Sequence, residues 1–251
     1  MSFFNYQGKQ LYYDIIGEGE PLFFLHGNTS SSKLFTPMLP LYADFQVILL
    51  DFLGYGQSDR LDTFPTELWK AEVLQVIALL EHLQLGKVHL IGTSGGAWVA
   101  LNATLLRPDL FATVTADSFD GRTLHEGFAE ELAAERSAVA ADPETSQFYH
   151  WCIGDDWSDV VKKDTDSMLR LITSEKSLFV DSLESLCCPL LLTGSKNDGA
   201  LRSNLEEEYQ AIIQEVPRAQ FKLFETPGHP AIGTSAEKVA ETIKQFIAEN
   251  H

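Results

Sequence analysis

The stretch Val88-His89-Leu90-Ile91-Gly92-Thr93-Ser94-Gly95-Gly96-Ala97 decides the reading of this chain. An apolar, β-prone run ends in Gly-x-Ser-x-Gly and passes straight into Ala97 to Leu106, which reads as a helix stopped by Arg107-Pro108. So tight a strand-to-helix crossing needs small residues two before and two after the serine. The strained turn lifts the Ser94 hydroxyl off the end of the sheet, and the N–H of Gly95 points to where an oxyanion would develop. Ser94 is therefore the candidate nucleophile and Gly95 a candidate oxyanion donor. The competing reading is a glycine-rich turn with an incidental serine; the placement between strand and helix speaks against it.

Outward from this turn the chain alternates short apolar runs with amphipathic segments. Leu22 to Leu25, Val47 to Leu50, Lys87 to Ile91, Ala112 to Ala116, Pro189 to Thr193 and Phe221 to Phe224 read as buried strands. Leu68 to Leu83, Asn204 to Val216 and Ala236 to Ala248 read as helices. Fully apolar strands between helices imply a mostly parallel sheet covered on both faces. Ahead of them, Phe3 to Tyr6 and Leu11 to Ile16 read as an antiparallel hairpin with Gly8-Lys9 at its turn. The fold class is thus α/β, with an N-terminal hairpin and helices on both faces.

Residues 121–184 break the rhythm. They are helix-prone and hold no clear strand. Between Glu126 and Asp166 eleven acidic residues face only Arg136, Lys162 and Lys163. The same interval carries Phe128, Phe148, Tyr149, Trp151 and Trp157. We expect a core of 1–120 plus 185–251 and a helical cap of 121–184 inserted before the last strands, because an excursion of this length on one rim of a sheet usually serves as a lid or binding element.

Two further motifs sit at strand ends. His26-Gly27-Asn28 can supply the second oxyanion donor, the backbone N–H of Asn28, with Gly27 giving conformational freedom and His26 packed as a structural residue. Asp51-Phe52-Leu53-Gly54-Tyr55-Gly56-Gln57-Ser58-Asp59 predicts a compact loop tied by carboxylate-to-backbone hydrogen bonds.

The ordered set of these three motifs resembles the α/β-hydrolase superfamily, in particular its small-cap serine hydrolases of esterase and lactonase type, and the resemblance covers nearly the whole chain outside the cap. It implies an oxyanion hole at Asn28 and Gly95 and a base on a loop after the last strand, where Thr226-Pro227-Gly228-His229-Pro230 stands. His229 is the expected base, since imidazole exchanges protons near neutral pH. His82 falls on a helix, His89 in a strand, His125 and His150 in the cap, and His251 at the chain end. The family places its acid three residues after the strand-ending glycine, here Gly194. That position is Asn197, which could orient an imidazole but not stabilise an imidazolium. Asp198, one residue on, is the expected acid, with Asp120 or Asp117 as the alternative. Trp98, Phe119 and Trp151 are candidates for lining the substrate pocket, Trp98 also for packing beneath the turn.

The resemblance implies acyl transfer to Ser94 with no cofactor and no metal: a carboxylic ester hydrolase for a small, uncharged or apolar substrate. Lactone, amide and carbon–carbon bond hydrolysis and perhydrolysis use the same triad, and a ligand receptor with a retained triad is the reading of another class. His26 to Ser31 also resembles a loop of haloalkane dehalogenases, but those use an aspartate nucleophile followed by tryptophan where this chain has Ser94 and Gly95. With 36 acidic against 18 basic residues the net charge is -18, which argues against nucleic acid and anionic lipid as partners and disfavours anionic substrates. Three cysteines, two of them adjacent, form neither a disulfide framework nor a metal motif. No leader-like start and no apolar run of membrane length appear, so the expected setting is the cytoplasm, as a monomer or homodimer.

Overall fold

The computed structural model describes residues 2–139 and 142–250. Eight strands form one sheet in the order β1-β2-β4-β3-β5-β6-β7-β8. They are β1 (Ser2–Tyr6), β2 (Lys9–Ile16), β3 (Glu20–Leu25), β4 (Phe45–Leu50), β5 (Val88–Thr93), β6 (Phe111–Asp117), β7 (Leu190–Ser195) and β8 (Ala219–Phe224). The pairs β1–β2 and β2–β4 are antiparallel and all others parallel, as the sequence predicts. The hairpin turn differs by one residue from the expectation. Tyr6 pairs with Lys9, so Gln7 and Gly8 form the turn, with φ of 52° and 85°. A two-residue turn that matches strand twist needs positive φ at both central positions, and Lys9 instead opens β2.

The strands divide their side chains between two cores by simple alternation. In β3, Phe23 and Leu25 join Ile48 and Leu50 under α1 (Leu68–Leu83) and α2 (Gly95–Leu106). Leu22 and Phe24 join Val47, Leu49 and Ile91 on the other face. There they meet a 3-10 segment at Ser32–Tyr42 and α8 (Ala236–Glu249), whose buried Val239, Ala240, Ile243, Phe246 and Ile247 repeat at helical spacing. The 3-10 segment carries Pro37 and Pro40 within it and buries Ser32, Phe35, Met38 and Tyr42.

Between β6 and β7 the chain forms α3 (Phe128–Ala138), α4 (Pro143–Ile153) and α5 (Trp157–Thr173). Pro143 sits in the first turn of α4, and the Asp142 side chain caps it by accepting from Glu144 N–H. The inward face of α5 is Val160, Val161, Asp164, Ser167, Met168 and Leu171. After β7 follow α6 (Leu205–Glu215) and the short α7 (Ala231–Thr234). Among the described residues no helix is long and apolar enough to cross a membrane.

The loop after β4 is tied as its residues suggest. Asp51 accepts the backbone N–H groups of Ser32 and Gln57, both at 2.7 Å, and Ser58 Oγ donates to the Asp51 carbonyl. His26 is buried, donating from Nδ1 to the Gly27 carbonyl and accepting Phe52 N–H at Nε2, which defines a neutral, structural ring. Burial holds its pKa below the usual histidine range.

Glu72 on α1 is buried near Asp164, and desolvation, then the Asp164 charge, push its carboxyl well above the usual range. The folded chain therefore holds a proton that the unfolded chain releases near the ordinary value of about 4.3. Stability from this site is full below that value and declines as pH rises through the window up to the folded pKa. Glu72→Gln should raise the melting temperature at pH 7.5, with a smaller gain at pH 4, read by thermal denaturation at both.

Candidate active site

Ser94 has φ 54° and ψ −125°, a conformation disfavoured for any residue with a Cβ. Its neighbours hold it there. Ser94 N–H donates to the Asp117 carbonyl at 2.9 Å, and its own carbonyl accepts Ala97 N–H at 2.8 Å. The crossing is too tight for larger residues: a Cβ on Gly92 would lie 2.0 Å from the Gly96 carbonyl oxygen.

The hydroxyl faces an imidazole already oriented for it. Ser94 Oγ lies 2.9 Å from His229 Nε2, and His229 Nδ1 lies 2.8 Å from Asp198 Oδ2. The Asp198 side chain is almost wholly buried, and its other oxygen accepts Ala200 N–H at 3.0 Å. Asn197 takes a different part. Its carbonyl accepts Gly228 N–H at 3.3 Å, bracing the loop that carries His229.

On the other side of Ser94, the β3 loop approaches closely. A Cβ on Gly27 would fall 2.8 Å from Ser94 Cβ, so glycine is required there for space; its φ is not in the left-handed region that conformational freedom would predict. Asn28 follows, its side chain fixed at both ends. Its Oδ1 accepts Trp69 Nε1–H at 2.9 Å, and its Nδ2 donates to Asp164 Oδ2 at 2.7 Å. A donor on one side and an acceptor on the other leave one orientation of the amide. Asp164 Oδ2 also accepts Tyr55 Oη–H at 2.5 Å. Burial raises the Asp164 pKa, opposed by the Arg136 charge and these hydrogen bonds.

The triad opens into a cavity of about 700 Å³. Trp69, Trp98, Phe128, Leu132, Tyr149 and Met168 give it an aromatic and aliphatic wall, and Arg136, His125 and the carboxylates of Asp120, Glu131, Glu135 and Asp164 contribute titratable groups. Burial would lower the His125 pKa, but its bonds to Glu131 and Asp120 outweigh this and raise it.

This topology agrees with known proteins. A family model for the alpha/beta hydrolase fold matches residues 20–150. The chain belongs to the α/β-hydrolase family. The uncharacterized hydrolase YugF of Bacillus subtilis is 35% identical over 114 residues, 44% of this chain and 41% of that protein, so the match spans less than half of that relative. A proline iminopeptidase of Lactobacillus acidophilus is 26% identical over 98% of this chain and 97% of its own length. Among solved structures, a thermophilic esterase from Thermogutta terrifontis superposes with a TM-score of 0.75 at 22% identity, covering 97% of this chain and 94% of that one.

In this α/β hydrolase, the expected residues Ser94, His229, Asp198, Asn28 and Gly95 come together around one point of the cavity. The alternative acids make no hydrogen bond to His229. Asp117 accepts from Thr93 Oγ1 at 2.8 Å, Thr193 Oγ1 at 2.7 Å and Ile232 N–H at 3.1 Å, clasping β5, β7 and α7. Asp120 accepts the backbone N–H and the ring Nδ1–H of His125, both at 2.9 Å, and Arg202 backbone N–H at 2.7 Å. His251 lies outside the described residues.

Of the expected lining residues, Trp98 lines the cavity and stacks on Trp69 with centroids 4.4 Å apart. Phe119 is fully buried behind Trp98 and does not reach the cavity. Trp151 is 43% exposed on the outside of α4, because the inward positions of that helix are Tyr149, Cys152 and Ile153. Sequence reasoning passed over Trp69, Tyr55, Asp164 and Arg136. Only Asp164 left a signal, as a charge interrupting the apolar stripe of α5.

Asp117 therefore carries the junction beneath the serine turn. Asp117→Asn replaces an acceptor with a donor facing hydrogen-bond donors, and should cost about 1–3 kcal/mol of stability, read by chemical denaturation.

Proposed function

We propose that this hydrolase cleaves carboxylic esters through an acyl-enzyme on Ser94. The observation that carries this reading is the continuous relay from Ser94 Oγ through His229 to the buried carboxylate of Asp198. As Oγ attacks the carbonyl carbon, His229 Nε2 takes its proton, and Asp198 stabilises the imidazolium. The backbone N–H groups of Asn28 and Gly95 receive the oxyanion, each typically worth about 10²–10³ in rate. His229 then protonates the departing alkoxide and activates the water that releases the acid. Residues 121–184 act as a cap that walls the acyl pocket, since Phe128, Leu132, Tyr149 and Met168 all come from α3–α5.

The same machinery would open a lactone or an amide, and the iminopeptidase relative makes the amide the rival to measure. p-Nitrophenyl esters from acetate to decanoate, with prolyl p-nitroanilide alongside, separate the two. We expect multiple turnover on esters, falling by at least about 10⁴-fold in Ser94→Ala, whose fold is unchanged. Undiminished cleavage in that variant would sink the nucleophile assignment. Faster turnover of the anilide than of any ester would make the chain a peptidase, and no turnover on any substrate would favour a ligand receptor.

Asp198→Asn should slow ester hydrolysis by about 10²–10⁴-fold, while Asp120→Asn keeps it within about tenfold. The reverse ranking in kcat would move the acid to the loop after β6.

A further inference from the structure

We propose that Arg136 forms an anion subsite in the Ser94 cavity, so that the preferred substrates are esters bearing a second, free carboxylate. The inference rests on the hydrolase reading above and adds the substrate class.

Arg136, on α3, is the one arginine or lysine among the described residues that line the cavity. Its side chain is only 12% exposed. Nη1 is committed, donating to Thr29 Oγ1 at 2.8 Å and to the Tyr149 hydroxyl, and the guanidinium lies 5.7 Å from the Tyr149 ring centroid. The opposite edge is not. Nε is buried without a partner, and Nη2 makes no hydrogen bond among the described residues. That edge, Nε with Nη2, is the one that receives a carboxylate side-on through two parallel hydrogen bonds.

A buried guanidinium is costly unless an acceptor of opposite charge answers it. The carboxylate paired with it, Glu135, stands 3.7 Å from Nη1, on the committed side, and is itself 56% exposed. The other cavity carboxylates make no hydrogen bond to Arg136: Asp120 takes His125 and Arg202, Glu131 takes His125, and Asp164, whose charge acts on Arg136 through space, takes Asn28 and Tyr55 on Oδ2 and leaves Oδ1 buried without a partner. A ligand carboxylate entering the cavity is the hydrogen-bond acceptor that the Nε edge of Arg136 lacks. The bond from Arg136 Nη1 to Thr29, the residue after Asn28, sets the guanidinium beside this loop in the same cavity as Ser94. The overall charge of -18 disfavours anions at long range, but solvent screens it beyond roughly 8 Å at physiological salt, whereas Arg136 acts by contact.

The test is calorimetric titration of the Ser94→Ala protein, which cannot turn over, with monomethyl glutarate and monomethyl adipate against the neutral dimethyl esters. We expect at least one half-ester to bind about tenfold or more tighter than its diester. The preference should vanish in Ser94→Ala/Arg136→Gln and be partly kept with Arg136→Lys, which retains charge but loses the fork. Absence of half-ester binding, absence of preference over the diester, or a preference unchanged by Arg136→Gln would each overturn the subsite. If Arg136→Gln does not fold, the lysine variant decides: an undiminished preference overturns the fork. Wild-type turnover of p-nitrophenyl esters reads the other proposition separately. Half-ester preference without turnover on any ester would overturn the hydrolase reading alone, and turnover without preference would overturn the subsite alone.

Discussion

Ser94 can occupy its strained backbone conformation only because everything around it has been made small or has been tied down. The strain is of the order of about 1–3 kcal/mol, and it persists where the surroundings over-determine the geometry. Here the Asp117 carbonyl takes the Ser94 N–H, Gly92 lets the returning helix pass within contact of β5, and Gly27 lets the β3 loop close against Ser94 itself. Ser94, the first turn of α2 and the loop after β3 thus share one volume. Asp117 then bonds β5, β7 and the chain after His229 through three hydrogen bonds, so the position of the base is set by the same junction that sets the nucleophile.

A second layer of control comes from the helices between β6 and β7. Asn28 is held between Trp69 of α1 and Asp164 of α5, and Asp164 is held by Tyr55 of the loop after β4. Two segments far apart in sequence therefore meet at Asn28, and a third braces one of them. In a low-dielectric interior such bonds are strong when all are made and costly when one is lost, so this network ties the oxyanion loop to α5. Arg136 and Thr29 make a second tie between α3 and the same loop.

Much of this was legible in advance, and for local reasons. The serine turn is recognisable because its chemistry demands small residues at fixed offsets between a strand and a helix. The core strands are recognisable because a sheet covered on both faces has no polar side to show, as in Leu22 to Leu25, where every side chain is buried. Asp198 was harder, because the usual position holds Asn197. The fold resolves it by using the Asn197 carbonyl to brace the histidine loop and the next side chain to meet His229. Trp151 misled because a helix shows the period of its pattern but not which face will be covered, and the partner surface turned out to be on the side of Tyr149 and Cys152.

The sequence by itself determined the order of the sheet strands and singled out Ser94, His229, Asn28 and Gly95 as candidates, since each reading depends on residues within a few positions of one another or on placement at a strand end. Tertiary structure decided that Asp198, and neither Asp117 nor Asp120, meets His229, which aromatic rings face the cavity, and that Asp164 and Arg136 line it. Those outcomes depend on contacts across tens of residues of chain, and a charge on a helix carries no local mark of the partner that folding will bring to it.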